Sequence, residues 1–526
     1  MFNLTEQELE NAFSAINHHG YSAMLPEPFE WKAVKNKWTE VRDFIKSIDL
    51  DTYDPKRPMK IFAPKNRANI RIVHLLHPQD LIIYTALTLI VKNDIEDNRI
   101  SKRAKRVFSY RVDKARDDRL YDSRGAHDDY IGQVERKVHR DNIRFVGIAD
   151  IADFYPSIYQ HRLENAIQAI ASDQRGIDVA RVLVKKLISN LMGRNSYGIP
   201  VGPYASRVLA EALLIDVDAY LHSNAIDFVR WVDDYSIFCK SEYEAQATLF
   251  SLGEWLYDHH GLTLQSAKTK ILPNQRFNDE ILSKPEENLT DRDHVISLLR
   301  DIRMTGYEDE WDDEEEEIDE DEIEQTLQQL QAVDLVEMLQ ESMSDAALVD
   351  YEVINYVLTR LPRMPEAEDG IKEQVLDLVI ENAELLYPSS ENVAKYIVSF
   401  NDLPKTEKKK IAKKLLKPLN SKRNPPPDYY AMWMLYIFTT SEDWNQIKDI
   451  IKLYQTTSSD VVKRYAALAI AKGGSRAEAL IIKDDLSSAP PMLKLAILEA
   501  SNKLGSDERK HWKLANQIND KVEKII

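Results

Sequence analysis

The stretch Arg230-Trp231-Val232-Asp233-Asp234-Tyr235-Ser236-Ile237-Phe238 constrains this chain more than any other. Its apolar, β-favouring flanks read as two strands, and the break between them holds two adjacent carboxylates. Side-by-side carboxylates repel unless a cation relieves them, and a metal ion is the simplest such cation. A second apolar run, Arg144-Phe145-Val146-Gly147-Ile148-Ala149-Asp150-Ile151, ends in a carboxylate and continues through Asp153 into Phe154 and Tyr155. Strands side by side in one sheet bring Asp150 next to Asp233, although 83 positions separate them. Three carboxylates at one sheet rim form a hard, all-oxygen site of the kind magnesium prefers, its shell completed by water and phosphate oxygens.

At 526 residues the chain has room for two or three domains, each with its own core. The single cysteine, Cys239, excludes an intrachain disulfide and a cysteine-based zinc cluster, and in an apolar strand it reads as core. No run of 18 apolar residues is present and the first residues are acidic, so we expect a soluble, cytoplasmic protein without a membrane partner. A net charge of −18 argues at first against a nucleic-acid partner. Residues 308 to 324, however, contain 14 acidic and no basic side chains, and without them the charge falls to −4. Against that background two basic stretches stand out: Lys102 to Arg119, and Lys405 to Lys417.

Taken in order, Thr5-x-x-Glu8 is a capping box and Gly20 a helix stop, which predicts a first helix of about four turns. Ile61 to His74 reads as strand, polar turn, strand. Pro78 opens an apolar helix through Leu81, Tyr84, Leu87 and Val91, apolar almost all round and therefore buried. The stretch from Lys102 to Arg119 either tracks a phosphate backbone or forms one solvated helix face. Gly202 and Pro203 precede a helical pattern from Ser206 to Leu221, and the bare backbone at Gly202 would let a nucleotide base lie close. The acidic run after Gly306 cannot cover a core and is expected to be a linker or helix extension; masking of a cleft by nucleic-acid mimicry is the sharper alternative. Beyond Ile323 the pattern is helical. Arg464 to Ile470 and Lys494 to Ala500 align 30 positions apart, each heading for a glycine, Gly473 or Gly505, like degenerate HEAT-type repeats. Pro425-Pro426-Pro427 is expected to break this array into two blocks.

Three blocks in order resemble the reverse transcriptases, most closely the bacterial defence-associated, abortive-infection branch. Asp150 to Ile158 matches the family's first-aspartate block. Trp231 to Asp234 matches its Tyr-x-Asp-Asp block, with Trp in the Tyr position. Gly198-Ile199-Pro200-Val201-Gly202-Pro203-Tyr204-Ala205-Ser206-Arg207-Val208-Leu209-Ala210 matches its Pro-Gln-Gly-x-x-x-Ser-x-x-Leu-Ala block. With Leu262 to Ile271, similar to the Lys-Thr block that closes the palm, the resemblance spans roughly residues 55 to 275. It implies an α+β fold: an N-terminal helical segment (1–60), right-hand fingers and palm with an antiparallel sheet and packed helices (61–275), and connecting helices in place of a thumb (276–305). An acidic linker (306–324) and an all-α HEAT-like domain (325–526) complete it.

In nucleotidyl transfer one ion lowers the pKa of the attacking hydroxyl and a second steadies the leaving oxygens, roughly 3.5–4 Å apart. We assign Asp150 and Asp233 as bridging ligands of magnesium, for which manganese can substitute, with the Ile151 carbonyl assisting and Asp234 as the weaker third. Asp153 is expected to face the triphosphate side or solvent. By resemblance, Lys65 and Arg71 fold onto the incoming triphosphate, the alternative being solvated hairpin charges. Lys268 is a proton donor to the leaving pyrophosphate or a surface lysine. Tyr155 is a steric gate that rejects a 2′-hydroxyl, which implies a DNA product, or an aromatic packing at the sheet rim. Val201 stands where the family usually has glutamine, which removes a polar contact near the nucleotide.

The resemblance implies a DNA polymerase of the defence type using deoxynucleoside triphosphates, working without a template and primed on a protein hydroxyl, so that its DNA is covalently attached. The alternatives are an RNA-templated reverse transcriptase with a partner non-coding RNA, and a non-enzymatic repeat scaffold with a decayed polymerase module. Repeat surfaces and the acidic run further suggest a homo-oligomer.

Overall fold

The computed structural model describes residues 1–65, 69–122, 124–282, 332–344, 349–363, 370–383, 385–400, 403–421, 423, 425–518 and 520–526. The acidic run 308–324 and all of the connecting segment beyond Leu282 lie outside the described residues, and with them the expectations placed there.

Helix α1 (Glu6–His19) begins with the expected reciprocal cap, Thr5 and Glu8 each accepting the other's backbone N–H, and ends at Gly20 with φ of 93°. Helix α2 (Phe29–Asn36) follows Pro28. Strands β1 (Met59–Pro64) and β2 (Ile70–Leu75) form the predicted antiparallel hairpin, in register from Met59 opposite Leu75 to Pro64 opposite Ile70. Ile61, Ala63, Val73 and Leu75 face the core. The opposite face carries Phe62 (46 % exposed) and Ile70 (63 % exposed), apolar where alternation calls for polar residues. Helix α3 (Pro78–Asn98) is buried on nearly every side through its first four turns, as its composition requires.

Residues 102–119 do not form a solvated helix. Only Lys102–Ala104 makes a single tight helical turn. The chain then runs beside the strand that holds Arg230, with Arg106 C=O accepting from Arg230 N–H and Phe108 N–H donating to Arg230 C=O. It thereby covers a strand edge that would otherwise stand open. Its charges are engaged internally: Arg106 Nη1 donates to Ile226 C=O (2.5 Å), buried Arg111 Nη2 to Ile100 C=O (2.5 Å), and Lys114 pairs with Asp97. A backbone that needs donors at distant carbonyls draws these cations in, so most of them are not available to line a phosphate track.

After helix α4 (Ala126–Val138) comes a four-stranded, wholly antiparallel sheet of β3 (Phe145–Asp150), β4 (Phe228–Trp231), β5 (Asp234–Cys239) and β6 (Lys270–Pro273), in the order β4-β5-β3-β6. Cys239 is buried and unpaired, as expected. The helical pattern from Ser206 is realised as two helices, α5 (Ala205–Leu213) and α6 (Ile215–Ser223), separated at Leu214. Helix α7 (Glu242–His260) lies under the sheet, capped by Ser241 and ended by Gly261 in the left-handed region. Its Leu249 sits 3.4 Å from where a Cβ at Gly147 would stand, so β3 is bare at the point where α7 crosses it.

From Ala332 onward every described element is helical. They include α8 (Lys405–Leu419), α9 (Asp428–Thr440), α10 (Ile447–Thr456), α11 (Asp460–Gly473), α12 (Pro491–Ala500) and α13 (Lys521–Ile525). The aligned segments are α11 and α12, which pack side by side. Gly473 ends its helix as expected, but Gly505 starts one (Ser506–Ala515), because a tight turn over Ser501–Lys503 intervenes. The three prolines separate α8 from α9 without dividing the core, which is continuous across them. Nor are the chain's two ends separate bodies. Buried Arg464 on α11 forms a two-pronged ion pair with buried Glu30 on α2, at 2.6 and 2.8 Å. Among the described residues no helix is long and apolar enough to cross a membrane.

Candidate active site

Strand β3 ends at Asp150 and β5 begins at Asp234, and the two are direct partners in the antiparallel register. Asp233 lies in the turn between β4 and β5, where its C=O accepts from Ile151 N–H at 3.3 Å. The expected meeting of residues remote in sequence therefore occurs, with Ile151 tied by its own backbone to the two-aspartate turn. Asp150 and Asp233 are buried, and Asp150 C=O accepts from Gln265 N–H at 2.7 Å. Lys268, in the turn that leads into β6, places Nζ 2.8 Å from Asp150 Oδ2.

The charge balance follows from this crowding. Burial, then Asp233, then Asp150 push the Asp234 carboxyl well above the usual carboxylate range, against the opposing pull of Lys268 and Lys65. Burial works to lower the Lys268 ammonium, yet the hydrogen bond to Asp150 and the three carboxylates raise it. Among the described residues no three Asp, Glu, His or Cys side chains are gathered closely enough to hold a metal ion. The donor set nevertheless suits a hard divalent cation: it is all oxygen, it is like-charged, and the upward push on Asp234 marks a deficit of positive charge that Lys268 does not fill.

The turn itself is strained. Val232, a β-branched residue, sits at φ of 50° in the left-handed region. Both of its backbone polar groups are held: Ser109 Oγ accepts its N–H (3.0 Å) and Arg230 Nη1 donates to its C=O (2.6 Å). Arg230 is fully buried and donates from Nε and Nη2 to Asp218 (2.8 and 2.5 Å) and from Nη2 to Glu211 (2.9 Å). Glu211 also accepts from Arg99 Nη2 (2.7 Å) and Ser109 Oγ (2.5 Å). Burial works to raise the Glu211 carboxyl, but Arg230 and Arg99 outweigh it and hold it below its ordinary value. This buried clamp escaped the sequence reading. One signal was present, an arginine inside an otherwise apolar strand, which must find buried partners.

Trp231, in the family's tyrosine position, packs edge-on against His127 (5.2 Å between ring centres) and beside Tyr130 (5.7 Å). A cavity of about 260 Å³ opens next to Asp234, lined by Tyr130, Ile148, Ser236, Lys268, Lys270 and Phe277 among others.

The remaining predicted residues lie as follows. Lys65 is exposed at the end of the hairpin, and its charge reaches Asp234. Arg71 is half-buried, with Nη1 3.8 Å from Met24 Sδ. Asp153 is exposed. Tyr155 is buried against the edge of Phe154 (5.6 Å), and its C=O accepts from Ile199 N–H at 3.2 Å, which joins the first-aspartate block to the Val201 block. Val201 is fixed to β2 through His74, whose N–H donates to Val201 C=O (2.8 Å) and whose Nδ1 accepts from Val201 N–H (3.2 Å). Gly202 has φ of 113°, and the space a Cβ would fill is taken by Ser22 Oγ (3.0 Å) and Val73 Cγ1 (3.1 Å). On that side the close approach this glycine permits is made by the chain itself, from the N-terminal segment and from β2.

Residues 64–285 match the family described as Reverse transcriptase (RNA-dependent DNA polymerase). Similar solved structures include telomerase from Candida albicans in complex with the TWJ fragment of telomeric RNA, 11 % identical over 84 % of this chain and 71 % of that one, with a TM-score of 0.30. Apo telomerase from Candida tropicalis is 11 % identical over 77 % and 74 %, with a TM-score of 0.32. No curated protein matches. The chain carries a reverse transcriptase domain over residues 64–285, and it is a nucleotidyltransferase.

Proposed function

We propose that the protein is a DNA polymerase of the defence-associated type, adding deoxynucleotides at Asp150, Asp233 and Asp234. The observation that carries this reading is the register pairing of Asp150 with Asp234, with Lys268 on Asp150. Asp150 and Asp233, helped by the Ile151 carbonyl and by Asp234, would hold two magnesium ions. When bound, these would acidify the attacking hydroxyl and neutralise the leaving oxygens. Lys268 holds its proton where pyrophosphate would depart, and Lys65 supplies a cation on the triphosphate side. Tyr155, backed by Phe154, bars a 2′-hydroxyl from the sugar's place. Replacing it with alanine should admit ribonucleotides; unaltered sugar selectivity would remove that role.

Untemplated synthesis on a protein hydroxyl is supported by Val201, an apolar side chain where template handling in the family uses an amide, and by the helical array beyond the palm. HEAT-type repeats in that array and a homo-oligomer are further parts of this proposal. The second reading, RNA-templated synthesis with a partner non-coding RNA, is favoured by the description of the matched family as RNA-dependent. Purified protein given magnesium and single deoxynucleotides without added nucleic acid separates the two. DNA attached to the protein supports the first, and strict dependence on co-purified RNA supports the second. Full activity in Asp233→Asn/Asp234→Asn overturns both.

A further inference from the structure

Helix α8 is divided sharply by chemistry. Ile411, Ala412, Leu415, Leu416 and Leu419 are buried, and Lys408 is buried with Nζ 5.8 Å from the centre of the Trp444 ring. The outer face exposes Lys409, Lys410, Lys413, Lys414 and Lys417, with Glu407 at its N-terminal end as the carboxylate. Lys410 pairs with Glu407 at 2.6 Å, whereas among the described residues Lys409, Lys413, Lys414 and Lys417 have no carboxylate within ion-pair distance. Lys409, Lys413 and Lys417 follow one another at four-residue spacing, about 6 Å apart along the axis. Like charges at this spacing destabilise a helix. In a chain with 87 acidic side chains, none of those described relieves them.

The neighbouring helix extends the row. Gln446, at the start of α10, donates from Nε2 to Lys409 C=O (3.4 Å), and α10 exposes Lys448 and Lys452, with Asp449 as the exposed carboxylate between them. The lysine face of α8 has no apolar or aromatic member, so whatever binds it is held by charge alone. That suits a chain of regularly spaced anions read without regard to sequence. The location suits it also. Helix α8 packs on α9, and α9 packs on fingers strand β1, which puts the lysines one helix layer behind the fingers.

We propose that this lysine face, continued by Lys448 and Lys452, binds the phosphate backbone of a nucleic acid strand at a surface separate from the polymerase site. The inference does not depend on the catalytic aspartates, and its test needs no turnover. Labelled 20-nucleotide single-stranded DNA, the same sequence as RNA, and a 20-base-pair duplex are titrated with the full chain at several salt concentrations, without nucleotides. Lys409→Gln/Lys413→Gln/Lys417→Gln should weaken binding of at least one probe roughly tenfold or more. It should also lower the slope of log affinity against log salt by about 2, at about 0.7 per phosphate lost for single strands. The probe that responds most identifies the strand. Lys413→Gln/Lys452→Gln, which touches two helices, should give a smaller loss of the same sign. Unchanged affinity and slope in both variants, at unchanged melting temperature, overturns the proposal. So does the rival outcome, in which a synthetic peptide of residues 308–324 binds the parent but not the triple variant while no probe distinguishes the two proteins.

Discussion

Ser109 shows how much of the two-aspartate turn can rest on one hydroxyl. It accepts the Val232 N–H and donates to Glu211, so the strained residue before the aspartate pair is bound to a buried ionic cluster that Arg230 closes from the other side. Removing the hydroxyl strands a buried N–H and a share of Glu211's coordination, a loss of about 1–3 kcal/mol. The larger effect should be on chemistry, because a shift of the turn by a fraction of an ångström misplaces carboxylates that must act together. Ser109→Ala is expected to lower kcat at least tenfold and raise the magnesium concentration needed for half-maximal rate, while Ser109→Thr restores most of both. If Ser109→Ala melts earlier but keeps kcat and magnesium dependence, the clamp serves folding alone. The meeting of Asp150 with the Asp233–Asp234 turn was legible in the sequence because a strand interrupted by like charges has few explanations. The clamp was not. Ser109 and Val232 are 123 positions apart, and nothing local to Ser109 or Glu211 distinguishes them from ordinary helix or loop residues.

Among the elements, those announced by local signals formed as read: the capped first helix, the β1–β2 hairpin, and α3 behind Pro78. Where the partners of a segment are distant, its pattern misleads. The basic stretch from Lys102 has its charges drawn to carbonyls at Ile226 and Ile100. At Gly202, Ser22 and Val73 occupy the place a Cβ would take. Gly202→Ala should therefore be destabilising whatever its effect on nucleotide binding, since it meets both a positive φ and a 3.0 Å contact. A loss of about 1–3 kcal/mol in urea unfolding is expected, and none would mean the N-terminal segment is not seated there. The start of α3 carries a pH signature of its own. Burial pushes the Asp80 carboxyl up to about 7, although Tyr53 Oη (2.5 Å) and Lys56 N–H (3.0 Å) both donate to it. An unfolded aspartate titrates near 3.9, so between about pH 4 and 7 the folded chain holds a proton that the unfolded chain has released. This residue's contribution to stability accordingly falls as pH rises through that window and is flat above it. Neighbouring His77, lowered to about 4 by burial, contributes with the opposite sign up to about pH 6.5. Asp80→Asn should flatten the decline, most visibly between pH 6.5 and 7.5 in thermal melts; an unaltered profile would assign it to another group.

At the scale of the whole molecule, the reverse transcriptase domain lies between chain ends that meet. The sequence resemblance implies a polymerase joined through an acidic linker to a helical array, but Arg464 and Glu30, 434 positions apart, are buried against each other. Lys521 on α13 reaches Glu40 at 2.7 Å, and Asp520 lies 3.5 Å from Lys56. No periodicity in either segment encodes such a contact, because each residue alone reads as the polar side of its own helix. A buried pair of this kind costs more when halved than when removed, since the surviving charge is left without a counter-ion. Arg464→Met and Glu30→Met alone should each destabilise by roughly 3–5 kcal/mol, and the double variant should lose markedly less than either single change. The double variant should also keep polymerase activity, because the fingers hairpin would still rest on α9. If the single variants unfold in two steps, with the second retaining the melting behaviour of the palm, the array is an attachment that can be shed. A single shifted transition would mean that the N-terminal helices, fingers, palm and array fold as one unit, so that removing the array would take the polymerase with it.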